Sequence, residues 1–163
     1  RSRAKPSRNR VLRGLLAQAN QLDPALNAII GRSIAEDQSL VLEGVHLIPG
    51  TSPTQEFPEA TIIQLVLYVP DPDDHRSHFA TREVRSGRRQ AGPYVEHFAE
   101  IRMMQEFMHE QADLEGVPSV DASGFDSAVE RCVDHVLDVL LLEQAQREAL
   151  AGRGEQRAAA GGR

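Results

Sequence analysis

The chain contains a single cysteine, Cys132, no tryptophan, two tyrosines and five phenylalanines in 163 residues. One cysteine excludes an internal disulfide and fits a reducing compartment, so the cytoplasm is the expected location. The shortage of aromatics leaves the core to aliphatic side chains, and a hydrophobic fraction of 40% suits one domain with a real core. Long apolar runs are missing too. The longest, around residues 61–69 and 136–142, fall well short of the roughly 20 residues a membrane-spanning helix needs, so no membrane partner is expected. The first ten residues are basic and polar, without the apolar stretch of a secretory leader.

Positive charge is also scarce. Lysine and arginine total 18 against 24 acids, for a net charge of -6. This argues against a general nucleic-acid surface, because binding a polyanion is driven by cations that release counterions. Lys5 is the only lysine, so every other fixed positive charge is a guanidinium. The charge is uneven: Arg76, Arg82, Arg85, Arg88 and Arg89 stand against one acid, Glu83. A local patch of this kind suits a small anion, since guanidinium forks grip phosphate oxygens in bidentate fashion. The competing reading is a solvated polar helix and loop.

Apolar spacing predicts a helix from about Val11 to Asn20 and a second starting at Asp23 as N-cap with Pro24 in its first turn, closed by "EDQ". "LVLEGV" at 40–45 and "TIIQLVLYV" at 61–69 read as buried strands, the second as the best central strand. A helix is expected from Pro72 to about Arg85, a long one from Tyr94 to Glu115 stopped by Gly116, and a short strand in "VPSVD". After Ser123, Phe125, Ala128, Val129, Cys132, Val133 and Val136 form an apolar helical stripe, which makes Cys132 a core residue. Residues 1–10 read as a mobile start and 151–163 as a disordered tail.

Strands alternating with such helices imply an α/β fold with a parallel sheet. In open parallel sheets ligands bind beyond the carboxyl ends of the strands, and Glu43, His46, Asp71 and Asp121 all follow predicted strand ends. An apolar strand ending in an acid and glycine has the shape of a Walker B element, whose carboxylate serves Mg²⁺. The plainer reading of Glu43 is an exposed strand-end acid, with Gly44 supplying a turn. His75 and His78 are three apart, but lack the third histidine or HExxH context of a transition-metal site.

Three segments in order, "SLVLEGVHLIPG", "LYVPDPDDHRSHFATRE" and "YVEHFAEIRMMQEFMHEQADLEGVPSVD", resemble the C-terminal half of the 2-phosphoglycerate kinase family over about residues 11–140. The resemblance implies a P-loop α/β fold, ATP and Mg²⁺, and transfer of the γ-phosphoryl group to 2-phosphoglycerate or a related small phosphorylated acid. It makes Glu43 the acid near the metal and the transferring phosphate, with His46 orienting the acceptor. Arg76, His78 and Arg82 fall in a lid-like segment, 72–92, that would close over phosphates, and Arg102 matches a further arginine able to reach the anion or brace Glu43.

One departure stands out. The sequence has no GxxxxGK[ST] element to cradle nucleotide phosphates, and its lysine lies in "RAKPSR". The chain also begins with Arg. The expectation is therefore a C-terminal portion of a kinase, incomplete at its N-terminus and inactive alone. The alternative is a non-catalytic module that binds an anion or metabolite through the Arg76–Arg89 patch.

Overall fold

The computed structural model describes residues 8–51, 57, 59–86 and 92–160, with side chains except at 8, 82–86 and 151–160. Two compact units divide at Gly124 and Phe125. The first is mixed α/β, with α1 (Arg8–Ala35), β1 (Val66–Tyr68), α2 (Pro72–Ser86), α3 (Gly92–Glu96), α4 (Phe98–Glu115) and β2 (Ser119–Asp121). The second is one helix, α5 (Phe125–Ala160).

The strands form a two-stranded parallel sheet with Val66 opposite Ser119 and Tyr68 opposite Asp121. The expected parallel pairing is thus present, joined by the crossover through α2, α3 and α4. Buried Val66, Val69 and Val120 supply its apolar face. Helix α4 packs against both strands and against α1. There Leu15, Ala19 and Ile48 form a cluster with Leu16, Met104, Phe107 and Met108 around it. Fully burying an apolar side chain stabilises by about 1.5–3 kcal/mol, so this apolar seam holds α4 against α1.

Helix ends follow the local sequence. Gly116 takes the left-handed conformation (φ 67) after α4, and its N–H donates to Ala112 O. Helix α1 closes with Asp37 at φ 51. Asp37 N–H donates to Ile34 O and Gln38 N–H to Ser33 O. That pair of bonds is a Schellman closure, in which aspartate tolerates the left-handed position better than most residues.

Several expectations are corrected. The two N-terminal helices are one, with Pro24 inside α1. Pro24 has no N–H to give the preceding turn, at a cost of about 3 kcal/mol, and the contact between α1 and α4 opposes that loss. The run at 40–45 is not a strand: its backbone is irregular up to a turn at Val45, closed by Leu47 N–H on Gly44 O. A strand needs a neighbour for its backbone groups, and Val41, 92% exposed, pairs with no strand among the described residues. The strand expected at 61–69 is regular only over Val66–Tyr68, the stretch facing β2. The long helix expected from Tyr94 breaks at His97, which makes no side-chain cap bond. Cys132 is half-buried rather than core, because its stripe on α5 is exposed at Val129, Val133, Leu137 and Leu140. The backbone of α5 runs on to Ala160 through "AGRGEQRAAA", whose alanines and long polar residues are good helix formers.

Candidate functional site

A group of hydrogen-bonded polar side chains gathers at the carboxyl ends of β1 and β2. After β1, Asp71 Oδ1 accepts the N–H groups of Asp73 at 2.7 Å and Asp74 at 3.0 Å, capping α2. Those bonds, Asp74's first, hold its carboxyl below the ordinary aspartate range, and the Arg102 guanidinium adds to them. After β2, Asp121 Oδ1 accepts from Ser123 N–H at 2.8 Å and Ser123 Oγ at 2.6 Å, while Ala122 N–H donates to Tyr68 O. An aspartate, three residues past β1 and at the last residue of β2, therefore organises the turn behind each strand.

Helix α4 fixes the first of these turns. Arg102 Nη1 donates to Val69 O at 2.5 Å and Nη2 to Pro70 O at 3.1 Å. One turn further on, Gln105 Nε2 donates to Val69 O at 2.9 Å and its Oε1 accepts Val69 N–H at 3.0 Å. His109 stacks on Tyr68 with centroids 4.5 Å apart and lies 2.9 Å from Ser119 Oγ, which ties α4 to both strands.

Helix α2 brings the remaining groups. His78 Nε2 lies 3.2 Å from Ser123 O and donates to it, joining α2 to the turn after β2. His75 stacks on Phe79 at 5.1 Å, meets Phe98 edge-on at 5.4 Å, and places Nδ1 3.5 Å from Arg102 Nη1. Burial, then Arg102, then His78 hold its imidazole below the ordinary 6.5. Tyr94 of α3 stacks on Phe79. Arg76 pairs with Asp73 at 2.7 Å and sits 4.3 Å above the Phe98 ring. Its side chain is 52% exposed, so that ion pair is weak and can be exchanged.

The structure thus brings together Arg76, His78 and Arg102 of the residues singled out in the sequence. Arg102 differs from expectation in what it touches: its guanidinium is turned onto the Val69 and Pro70 carbonyls, bracing the β1–α2 turn rather than Glu43. The side chains of Arg82 and Arg85, and all of Arg88 and Arg89, lie outside the described residues. Among the described residues nothing pairs with Glu43, which is exposed. His46 Nε2 lies 3.0 Å from Gln18 Oε1 of α1, so no contact links either residue to the α2 cluster. No group of three His, Cys, Asp or Glu able to hold a metal occurs among the described residues. Nor is any described helix long and apolar enough to cross a membrane.

Sequence reasoning missed the parts played by Asp71, His75 and Gln105. The signal for Gln105 was present: it is the polar member of the stripe Phe98, Ile101, Gln105, Met108 and Ala112. An amide on an apolar face must find buried partners.

No family model and no solved structure matches the chain. Similar proteins include the 2-phosphoglycerate kinase of Methanopyrus kandleri, 26% identical over 142 residues, 86% of this chain and 43% of the relative. That of Methanocaldococcus jannaschii is 24% identical over 132 residues, 81% and 42% of the two chains. That of Methanothermobacter thermautotrophicus is 29% identical over 117 residues, 71% and 38%. The chain spans less than half the length of these curated relatives.

Proposed function

We propose, from the assignment to the 2-phosphoglycerate kinase family that these archaeal relatives support, that this chain supplies the acceptor side of an ATP- and Mg²⁺-dependent kinase. The acceptor is 2-phosphoglycerate or a related small phosphorylated acid. The observation that carries the reading is the grouping of His75, Arg76 and His78 beyond the carboxyl ends of two parallel strands, the place where open α/β sheets take their ligands.

Arg76 is the anion ligand of this group. Its exposed guanidinium gives up little in leaving Asp73 for a phosphate, which offers the bidentate partner it lacks. Arg82, two turns of α2 beyond His75, is proposed as a second ligand in the same lid-like segment. His78 and Arg102 position α2 and its turn. Glu43 offers one exposed carboxylate, enough to share a Mg²⁺ that phosphates and waters otherwise surround, with His46 as the neighbouring acceptor-orienting group. The residues present do not fit the triphosphate of ATP, since nothing in the sequence forms a phosphate-cradling glycine loop. No step through the nucleotide is derived from this chain.

Calorimetric titration of the chain with 2-phosphoglycerate tests the acceptor site. Arg76→Ala and Arg82→Ala should each weaken binding by about 1.5–3 kcal/mol, the range for hydrogen bonds to charged groups; no change would return the cluster to solvated surface. In a complete protein carrying this chain, Glu43→Gln should lower kcat far more than it raises KM. Binding without any phosphoryl transfer in that protein would leave a non-catalytic metabolite-binding module.

A further inference from the structure

His75 occupies the junction where α2 meets α4. Its ring is sandwiched against Phe79 and the edge of Phe98, and its Nδ1 faces Arg102 Nη1 at 3.5 Å. A guanidinium can only donate, so this contact is favourable while Nδ1 carries a lone pair, as it does in the neutral Nε2–H tautomer. The same guanidinium holds Val69 O and Pro70 O. The first turn of α2, the end of β1 and the first turns of α4 therefore converge on one imidazole.

We propose that His75 is an acid-released latch, seating α2 on α4 while neutral and letting it go when protonation sets a cation against Arg102. The groups around it all bear on this. Arg102 of α4 and His78 of α2 oppose a charge there. Arg76 is directed over Phe98, and the Asp71 carboxylate is engaged by the Asp73 and Asp74 N–H groups at the α2 N-terminus. Burial opposes the charge more than either cation does. Attachment therefore favours the neutral ring. It is complete above the ordinary histidine value of 6.5 and is lost as pH falls through the lower value of the seated ring. For each unit by which seating lowers the pKa, full protonation shifts the seated-to-released ratio by about tenfold. The consequence for anion binding rests on the proposed role of Arg76; the latch itself does not.

An NMR titration of the whole chain, following the imidazole carbons of His75 and His78 and the α2 amides, tests the latch without any ligand. His75 should titrate below 6.5, and the amides of residues 75–81 should move on the His75 curve. His75→Gln keeps an acceptor for Arg102 and cannot gain a proton, so it should flatten the α2 response, whereas His78→Gln should leave it in place. Amides that follow His78, or stay still while wild-type His75 titrates, overturn the latch even if the Gln variant folds poorly. Repeated with 2-phosphoglycerate, wild-type affinity should fall on acidification relative to His75→Gln. A relative rise would make protonated His75 an anion ligand instead and overturn the latch. No binding at any pH, with the amide response intact, would overturn only the acceptor site.

Discussion

The side-chain amide of Gln105 pairs with both backbone groups of Val69, accepting its N–H at 3.0 Å and donating to its carbonyl at 2.9 Å. It stands where a neighbouring strand's peptide would stand, and so ends the ladder at the last residue before the β1–α2 turn. Gln105→Leu would leave Val69 N–H without a partner in a buried place, at a cost of about 1–3 kcal/mol. Gln105→Glu would keep the acceptor for Val69 N–H, while its second oxygen would face the Val69 carbonyl, a repulsion that the Arg102 guanidinium on that carbonyl offsets. Urea unfolding should show a lower midpoint for the leucine variant than for the glutamate one, with the slope unchanged. Equal midpoints would mean that the Val69 pairing contributes nothing.

Arg102 offers a sharper separation of roles. Its fork spans two consecutive carbonyls, a geometry the point charge of lysine cannot reproduce. Arg102→Lys should therefore destabilise the chain by roughly 1.5–3 kcal/mol, the range for hydrogen bonds to a charged group, and loosen α2 amides in hydrogen exchange. A phosphate-binding arginine would behave in the opposite way, losing anion affinity with the fold intact. Measuring both on the same variant decides between them.

What the sequence made legible follows from how local each cause is. Gly116 and the "VPSVD" strand depend on a few adjacent residues, and both stand where local rules put them. Pro24 misled because the local rule for helix starts lost to packing of a long helix. "LVLEGV" misled because apolar density reports a wish for burial, not the presence of a partner, and Val41 is exposed. At the site, Arg76 and His78 were visible as a cationic helix. That Arg102 would turn to Val69 and Pro70 depends on residues 32 and 33 positions apart, which no local pattern encodes.

Asp71 gives a pH dependence distinct from that of His75. Two N–H bonds hold its carboxyl below the ordinary value of 3.8. A depressed carboxyl contributes stability that is present above the unfolded value and lost as pH falls through the folded one. Asp71→Asn retains an acceptor but not the charge at the N-terminus of α2, which the helix dipole favours. Wild type should be the more stable protein at neutral pH, and the two denaturation midpoints should converge as pH drops below 3.8. A gap that persists undiminished in acid would mean that the contribution of Asp71 is shape and hydrogen bonding alone.

The edge of β1 away from β2 has no strand beside it among the described residues. Gln105 closes that edge only at Val69. Just before it, Leu67 is 59% exposed, and Val41 and Leu40 in the irregular segment are 92% and 43% exposed. Unpaired apolar edges recruit other chains, and a lysine on the edge blocks that pairing. The chain in isolation should therefore self-associate, its mass by light scattering rising with concentration. Leu67→Lys, which changes a side chain already facing solvent, should lower the association without lowering the unfolding midpoint. Val41→Lys should do the same if the irregular segment takes part. A chain that stays monomeric at high concentration, with both variants indistinguishable from it, would show that the twist and shortness of β1 are protection enough.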